Sequence, residues 1–213
     1  MLFQDRRHAG ELLAEKLHSY RGSSPLILAV PRGGVSVAEP VRLALGSELD
    51  LIITRKIGAP MQPELALGAV SGDGAVMLND QLVGQLRLSR AYIDRAALDE
   101  QAEIRRRLRA YRGERPLPEP KGRLVILIDD GVATGFTLFA AIKALRRQQP
   151  QKLVLAVPVG PPDTLNKLAG EVDDLCYLAA PPHFAAVGQF YRDFSQVEDD
   201  TVISILQEAW DLE

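Results

Sequence analysis

Apolar residues along this chain fall into two alternating textures. Short runs with little polar alternation, Leu26–Val30, Leu49–Thr54, Leu124–Ile128, Leu153–Val159 and Asp174–Leu178, read as strands covered on both faces. Between them the apolar positions take helical spacing. Leu12, Leu13 and Leu17 predict a helix over Asp5–Tyr20 that ends near Gly22, and Val37, Val41 and Leu45 predict a second. Ser89–Tyr111 reads as a long charged helix with Ser89 as its N-cap and Leu98, Ala102, Arg105 and Leu108 alternating between buried and solvated positions. Leu138, Ile142 and Leu145 mark a fourth helix, Asp163–Leu168 a short fifth and Thr201–Trp210 a last one.

Strands alternating with helices across short connections predict an α/β fold: a doubly wound parallel sheet flanked by helices, with right-handed crossovers. Two stretches break the rhythm. From Arg55 to Val70 the glycines and prolines are expected to prevent any long element, and Ser71-Gly72-Asp73-Gly74 then forms a hairpin turn between Ala69–Val70 and Ala75–Leu78. Pro116, Pro118 and Pro120 make a stiff linker into the strand at Leu124.

With 213 residues, 46% of them hydrophobic, the chain can bury one substantial core, and we read 1–213 as a single domain. A formal net charge of -3 argues against a general electrostatic grip on nucleic acid or anionic membrane. The basic cluster Arg105, Arg106, Arg107, Arg109 and Arg112 is offset by Asp94, Asp99, Glu100 and Glu103, so it reads as a solvated face or a subunit contact. No apolar run reaches transmembrane length, and charged residues stand where a leader would need its apolar segment. A cytoplasmic product is expected. Cys176, the one cysteine, reads as a buried inert thiol, and His8 and His18 as packing or surface residues without a ligand cluster.

The chemistry gathers at two strand-to-helix turns. In the first, Pro31-Arg32-Gly33-Gly34 follows the strand Leu26–Val30. Its glycines allow unusual backbone conformations, and Arg32 brings a multidentate positive charge suited to phosphate. In the second, Leu124–Ile128 ends on Asp129-Asp130 and passes through Gly131-Val132-Ala133-Thr134-Gly135-Phe136-Thr137 into a helix. A helix N-terminus offers unpaired N–H groups and a positive dipole end, which suits phosphate. Gly135 permits close approach, Thr134 and Thr137 add hydroxyls, and Thr137 is placed to cap the helix. Acids beside an anion site suit a ligand carrying both phosphate and hydroxyls, such as a ribose 5-phosphate.

This second pattern closely resembles the phosphoribosyl-diphosphate (PRPP) signature of the type I phosphoribosyltransferases: apolar strand, two acids, four residues with a small hydroxylated end, Gly, any residue, Thr. The resemblance implies that family's fold, with a small hood outside the main sheet formed mainly by about 180–200 and a mobile loop or hairpin at about 55–80. It implies a reaction in which ribose 5-phosphate passes from PRPP to a nitrogenous acceptor, usually a nucleobase, with release of pyrophosphate through an oxocarbenium-like transition state. On it, Ala133, Thr134, Gly135, Phe136 and Thr137 hold the 5-phosphate, Asp129 and Asp130 the ribose hydroxyls, and Arg32, Gly33 and Gly34 the pyrophosphate. Magnesium arrives mainly on PRPP itself, without a dedicated protein cage. Many relatives are dimers, so a homodimer is expected.

Further along the chain the match is looser. Arg55 and Lys56, read as the C-terminal end of a parallel strand where α/β ligands bind, are the candidate catalytic cations, with surface solvation as the alternative. Glu64 could orient one of them or act on the substrate. Phe184–Gly188 and Tyr191–Phe194 look like shortened counterparts of two hood elements of hypoxanthine-guanine enzymes, which makes Phe184, Val187 and Tyr191 candidate base-binding residues. Those enzymes carry an aspartate where this chain has Ala133, and alanine occurs there in adenine and uracil enzymes. The loop therefore lacks the group that would exchange a proton with a 6-oxopurine. Phe136, bulky for the family's variable position, is expected to pack on the next helix. The alternative to an enzyme is a PRPP- or nucleotide-sensing regulatory protein on the same fold, while a nucleotide hydrolase or phosphorylase lacks an evident catalytic base.

Overall fold

The computed structural model describes residues 2–211, apart from the side chains of Pro63 and Glu64, so the expected role of Glu64 lies outside the described residues. In chain order come α1 (Arg6–Lys16), β1 (Leu26–Ala29), α2 (Gly33–Leu45) and β2 (Glu48–Leu51). There follow β3 (Thr54–Ala59), β4 (Gln62–Ser71), β5 (Val76–Leu78), α3 (Asp80–Gln85) and α4 (Arg90–Arg112). The second half holds β6 (Leu124–Ile128), α5 (Phe136–Arg147), β7 (Lys152–Val159), α6 (Pro162–Ala169), β8 (Asp174–Ala179) and α7 (Asp199–Trp210).

Five strands form one parallel sheet in the order β2-β1-β6-β7-β8. Alternate residues of its strands point to opposite faces, and both faces are covered. Ile27, Ala29, Ile126, Ile128, Val154 and Ala156 join a core with α1, α2 and α7. Leu26, Leu28, Val125, Leu127, Leu153 and Leu155 join another with α5 and α6. The doubly wound parallel sheet read from the sequence is therefore present.

The expectation of irregular chain from Arg55 to Val70 is corrected. β3, β4 and β5 make a separate antiparallel sheet, and β4 is ten residues long. The breakers sit where such a sheet tolerates them. Pro60 and Met61 form the two-residue tip between the paired Ala59 and Gln62, and Gly58 lies at a register shift. The predicted hairpin around Ser71–Gly74 is its second turn, closed by a bond from the Gly74 N–H to the Ser71 carbonyl at 3.0 Å.

The element at Leu49–Thr54 is likewise two strands: β2 ends at Leu51, and Thr54 opens β3 in the other sheet. The first helix stops at Lys16 and continues as a 3-10 turn over His18–Tyr20. On α4 the buried positions are Ile93, Ala97, Ile104, Tyr111 and Arg112, while Leu98 is 58% exposed, so the buried face is rotated from the expected one. Arg112 is also no part of a solvated face. Its Nε and Nη2 lie 2.6 and 2.5 Å from the two carboxylate oxygens of buried Asp50, and it donates to the carbonyls of Arg115 and Pro116. Cys176 is half-buried on β8, where burial pushes its thiol up. Among the described residues, no helix is long and apolar enough to cross a membrane.

Candidate active site

In the strand order β2-β1-β6-β7-β8 the connections lead away from β1 and β6 in opposite directions, which opens a crevice at their C-terminal ends. Both chemically marked turns leave from there. The Val30 N–H donates to the Ile128 carbonyl at 2.9 Å, which carries the pairing of β1 and β6 to the edge of the two turns.

The glycine backbone of the first turn packs directly against the second turn. A Cβ on Gly33 would collide with Oδ2 of Asp130, and one on Gly34 would lie 2.9 Å from the Ile128 carbonyl oxygen and 3.0 Å from the Asp129 Cα. Neither glycine has a positive φ, so close approach is what requires them. The peptide between Pro31 and Arg32 is cis. The Arg32 side chain points toward α7, with Nη1 3.6 Å from Asp199 Oδ1, which also accepts from the Tyr111 hydroxyl at 2.6 Å.

At the second turn α5 starts at Phe136, two residues earlier than its apolar spacing suggests. Its N-cap is Gly135 in the left-handed region, φ 82°, with no side-chain cap, and Thr137 lies inside the first turn instead of capping it. The first-turn N–H groups are thus left open to an anion. A Cβ on Gly135 would press on Thr164 and Phe139, at 3.0 and 3.1 Å. From α6, the Thr164 hydroxyl donates to the Ala133 carbonyl at 2.9 Å and holds the loop in place. Ala133 and Thr134 are exposed at its crest.

The two acids are recessed and anchored on one oxygen each. Asp129 Oδ1 accepts from the Asp130 N–H at 2.8 Å, and Asp130 Oδ2 accepts from Arg6 Nε at 2.7 Å. Among the described residues no hydrogen bond engages the other oxygen of either acid. Burial, and then the neighbouring Asp130 charge, push the Asp129 carboxyl well above the usual carboxylate range. Burial also raises Asp130, with the Arg6 guanidinium pulling the other way.

The C-terminal segment closes over this edge together with the N-terminus. Phe3 is fully buried against Tyr191, Phe190 and Ala9, and its backbone pairs with Phe190 and Arg192. Tyr191 is 5% exposed, its ring 5.1 Å from Phe3 and 5.0 Å from Phe194, and its hydroxyl donates to the Asp130 carbonyl at 2.6 Å. Burial pushes that hydroxyl's pKa up. Phe184 stacks on Phe190 at 5.3 Å, and Val187 stands over Gly131, where a Cβ would lie 3.1 Å from Val187 Cγ2. Arg55 and Lys56 are placed differently from the expectation. They lie on β3 of the antiparallel sheet, opposite Val70 and Ala69, and Arg55 Nε pairs with Glu100 of α4 at 2.7 Å.

Sequence reasoning missed Arg6. A signal was available: Arg6 and Arg7 open α1, whose first turn holds no acid, and cations there oppose the helix dipole unless something else balances them.

An open helix N-terminus beside a pair of recessed acids, at the switch point of a doubly wound sheet, defines an α/β protein with the chemistry to hold a phosphorylated, hydroxylated ligand. Residues 4–195 match the model of the phosphoribosyl transferase domain, and the chain belongs to that family. Proteins of two strains of Mycobacterium tuberculosis, CDC 1551 / Oshkosh and H37Rv, are 42% identical over 208 residues and are provisionally named phosphoribosyl transferases. The match takes in 98% of this chain and 47% of each relative, so the chain spans about half the length of those curated relatives. The crystal structure of TT1426 from Thermus thermophilus has 43% identity and a TM-score of 0.82, covering 98% of this chain and 99% of that one.

Proposed function

We propose that the chain transfers ribose 5-phosphate from PRPP to a nitrogen of a small acceptor of the nucleobase class, releasing pyrophosphate. One observation carries this reading. The uncapped start of α5, with Thr134 and Thr137, lies beside two carboxylates that each keep one oxygen outside every described hydrogen bond. A phosphate and two vicinal hydroxyls call for that combination: the helix start suits the phosphate, and the carboxylates, which would repel a phosphate, suit the hydroxyls.

In the proposed complex the 5-phosphate rests on residues 133–137, the hydroxyls on Asp129 and Asp130, and the pyrophosphate along the backbone of residues 32–34. The acceptor nitrogen forms a bond to C1 of the ribose as the C1–O bond to pyrophosphate breaks. The chain contributes orientation and a fixed polar surface for the developing charge. Ala133 offers no acceptor for the proton that the nitrogen sheds, so that proton passes to solvent. The oxygen donors present suit Mg2+ that arrives on the diphosphate with most of its waters and neutralises its charge.

Phe184 and Val187 form the proposed base-facing part of a hood at about 180–200, with Phe190 stacked on Phe184 and the buried Tyr191 in the same apolar cluster. Arg55, which pairs with Glu100, and Lys56 remain the candidate cations of this reading, carried on the antiparallel sheet instead of at the end of a parallel strand. The same reading expects a cytoplasmic homodimer acting on soluble small molecules and binding neither nucleic acid nor membrane.

Calorimetry with PRPP and Mg2+, followed by a pyrophosphate-release screen over adenine, uracil, hypoxanthine, guanine, xanthine and orotate, tests it. Release with one of these acceptors is expected. Binding with no release for any base would make the chain a PRPP sensor, and no binding at all would end both readings.

A further inference from the structure

Arg6 reaches three parts of this edge with a single side chain. Its Nε lies 2.7 Å from Asp130 Oδ2, its Nη1 donates to the Ser195 carbonyl at 2.8 Å, and its Cζ stands 3.8 Å above the centre of the Phe194 ring. The same Nε would lie 2.7 Å from a Cβ on Gly33. One guanidinium therefore joins the acid loop, the glycine turn and the C-terminal segment. α1 is brought within reach by another glycine: a Cβ on Gly10 would lie 2.8 Å from Pro40 Cγ of α2 and would run into the Val37 carbonyl.

This arrangement is a poor way to gain stability. The Arg6 side chain is only 11% exposed, and it opens a helix whose dipole repels its charge. Burying such an ion pair costs about as much as the pair returns, and apolar residues of similar volume would hold the same elements together as well or better. What the pair does is fix an oxygen. Asp130 Oδ2 is wedged between Gly33 and Arg6, which settles the carboxylate's rotation and leaves Oδ1 as its remaining acceptor. Asp129 is fixed the same way by the Asp130 N–H.

We infer that Arg6 is a positioning residue of the ribose subsite: it clamps Oδ2 of Asp130 against Gly33 and the C-terminal segment, so that Oδ1 is held ready for a ribose hydroxyl. The inference rests on the ribose-phosphate reading of the site and adds to it a residue from outside both turns. Phe194 has a part in it as the face on which the guanidinium lies. Arg6 is also the cation nearest the two acids, and its charge works against the protonation that their burial favours.

Calorimetry with inorganic phosphate and with ribose 5-phosphate separates the sugar's contribution from the phosphate's. The wild-type chain is expected to bind ribose 5-phosphate at least about tenfold more tightly than phosphate, the scale of one hydrogen bond to a charged group. Arg6→Gln is expected to reduce that ratio to about twofold while leaving the affinity for inorganic phosphate within about twofold of wild type. Arg6→Lys, which keeps the charge and loses the fork, should fall between them. A merely structural loss would weaken both ligands together. Should Arg6→Gln fail to fold, Phe194→Leu, which removes the guanidinium's stacking face, is expected to lower the ratio in the same direction. An unchanged ratio in the variant that folds would overturn the assignment of Arg6. A wild-type chain that binds neither ligand would instead overturn the reading of the site beneath it.

Discussion

Gly33 and Asp130 stand so close that a Cβ on the glycine would lie 2.6 Å from the carboxylate's Cγ. The first turn is therefore packed against the second, and the glycine is there for room.

Gly33→Ala is accordingly expected to push Asp130 off its anchor. The stability loss should be about 1–3 kcal/mol, the usual range for overpacking, and ribose 5-phosphate binding should weaken more than tenfold. Gly84→Ala is the control. That glycine lies inside α3, has no positive φ and has nothing within 4 Å of a notional Cβ, so alanine should be neutral or stabilise by up to about 1 kcal/mol. Urea titration of both variants checks the contrast, and equal effects would refute the packing argument.

The Arg112–Asp50 pair makes a second prediction. Both side chains are almost wholly buried, at 4% and 3% exposure. Arg112→Ala leaves the Asp50 carboxylate buried beside a void, and a loss of about 3–5 kcal/mol is expected. Replacing both partners, with Arg112→Met and Asp50→Leu, should recover most of that loss, because the uncompensated charge goes with the pair. Chemical denaturation of the single and double variants tests this, and a double variant as unstable as the single would count against it.

These two cases show how far the sequence could be read. The parallel sheet, its flanking helices and the acid loop were legible because unbroken apolar runs and a motif of about a dozen positions are local signals. Arg112 was not, since nothing near it in sequence points to Asp50, 62 residues away, and its arginine-rich neighbourhood suggests solvent. Arg55 and Lys56 were misplaced for a related reason. Leu49–Thr54 is one apolar run that serves two sheets, and no local feature marks the change at Ile52–Ile53. Glycine and proline between Ile57 and Pro63 look like breakers in the sequence, yet they supply a bulge and a hairpin tip. Arg6 escaped notice because its partner lies 124 residues on.

Asp129 gives a prediction in pH. Its carboxyl is pushed up from 3.8, first by burial and then by Asp130. A carboxyl raised in the folded state costs nothing below the unfolded value, where both states hold the proton. As pH rises above that value the unfolded chain gives up its proton first, so stability falls until the folded group has ionised too. The groups around it are Asp130 on its own loop, Arg6 from α1 and the Tyr191 hydroxyl from the C-terminal segment. Asp129→Asn keeps an oxygen for the Asp130 N–H and removes the charge. It is expected to raise Tm at pH 7, each 1 kcal/mol gained reading as about 2–4 °C, and to show no gain near pH 3.5. Ribose 5-phosphate binding should weaken in the same variant. Melting curves across that range check the sign, and a Tm at pH 7 below wild type would show that the charge is better compensated than its surroundings indicate.

Ala133 carries the last prediction, which concerns the acceptor. It is exposed at the crest of the loop, and what holds the loop there is its own carbonyl, bonded to Thr164. A longer side chain can therefore point away without disturbing that bond, and Ala133→Asp should change stability by less than about 0.5 kcal/mol. The added carboxylate lies near the proposed phosphate position and should weaken PRPP binding several-fold by like-charge repulsion. It also supplies the proton acceptor that the loop lacks, so the ratio of pyrophosphate release with hypoxanthine to that with adenine should rise by about tenfold or more, at the low end of what a positioned acid or base contributes. Comparing the wild-type chain and Ala133→Asp at a PRPP concentration well above both dissociation constants removes the binding difference from the readout. A ratio unchanged at that concentration would mean that residue 133 does not face the acceptor, and that the absence of an aspartate there says nothing about which base the chain uses.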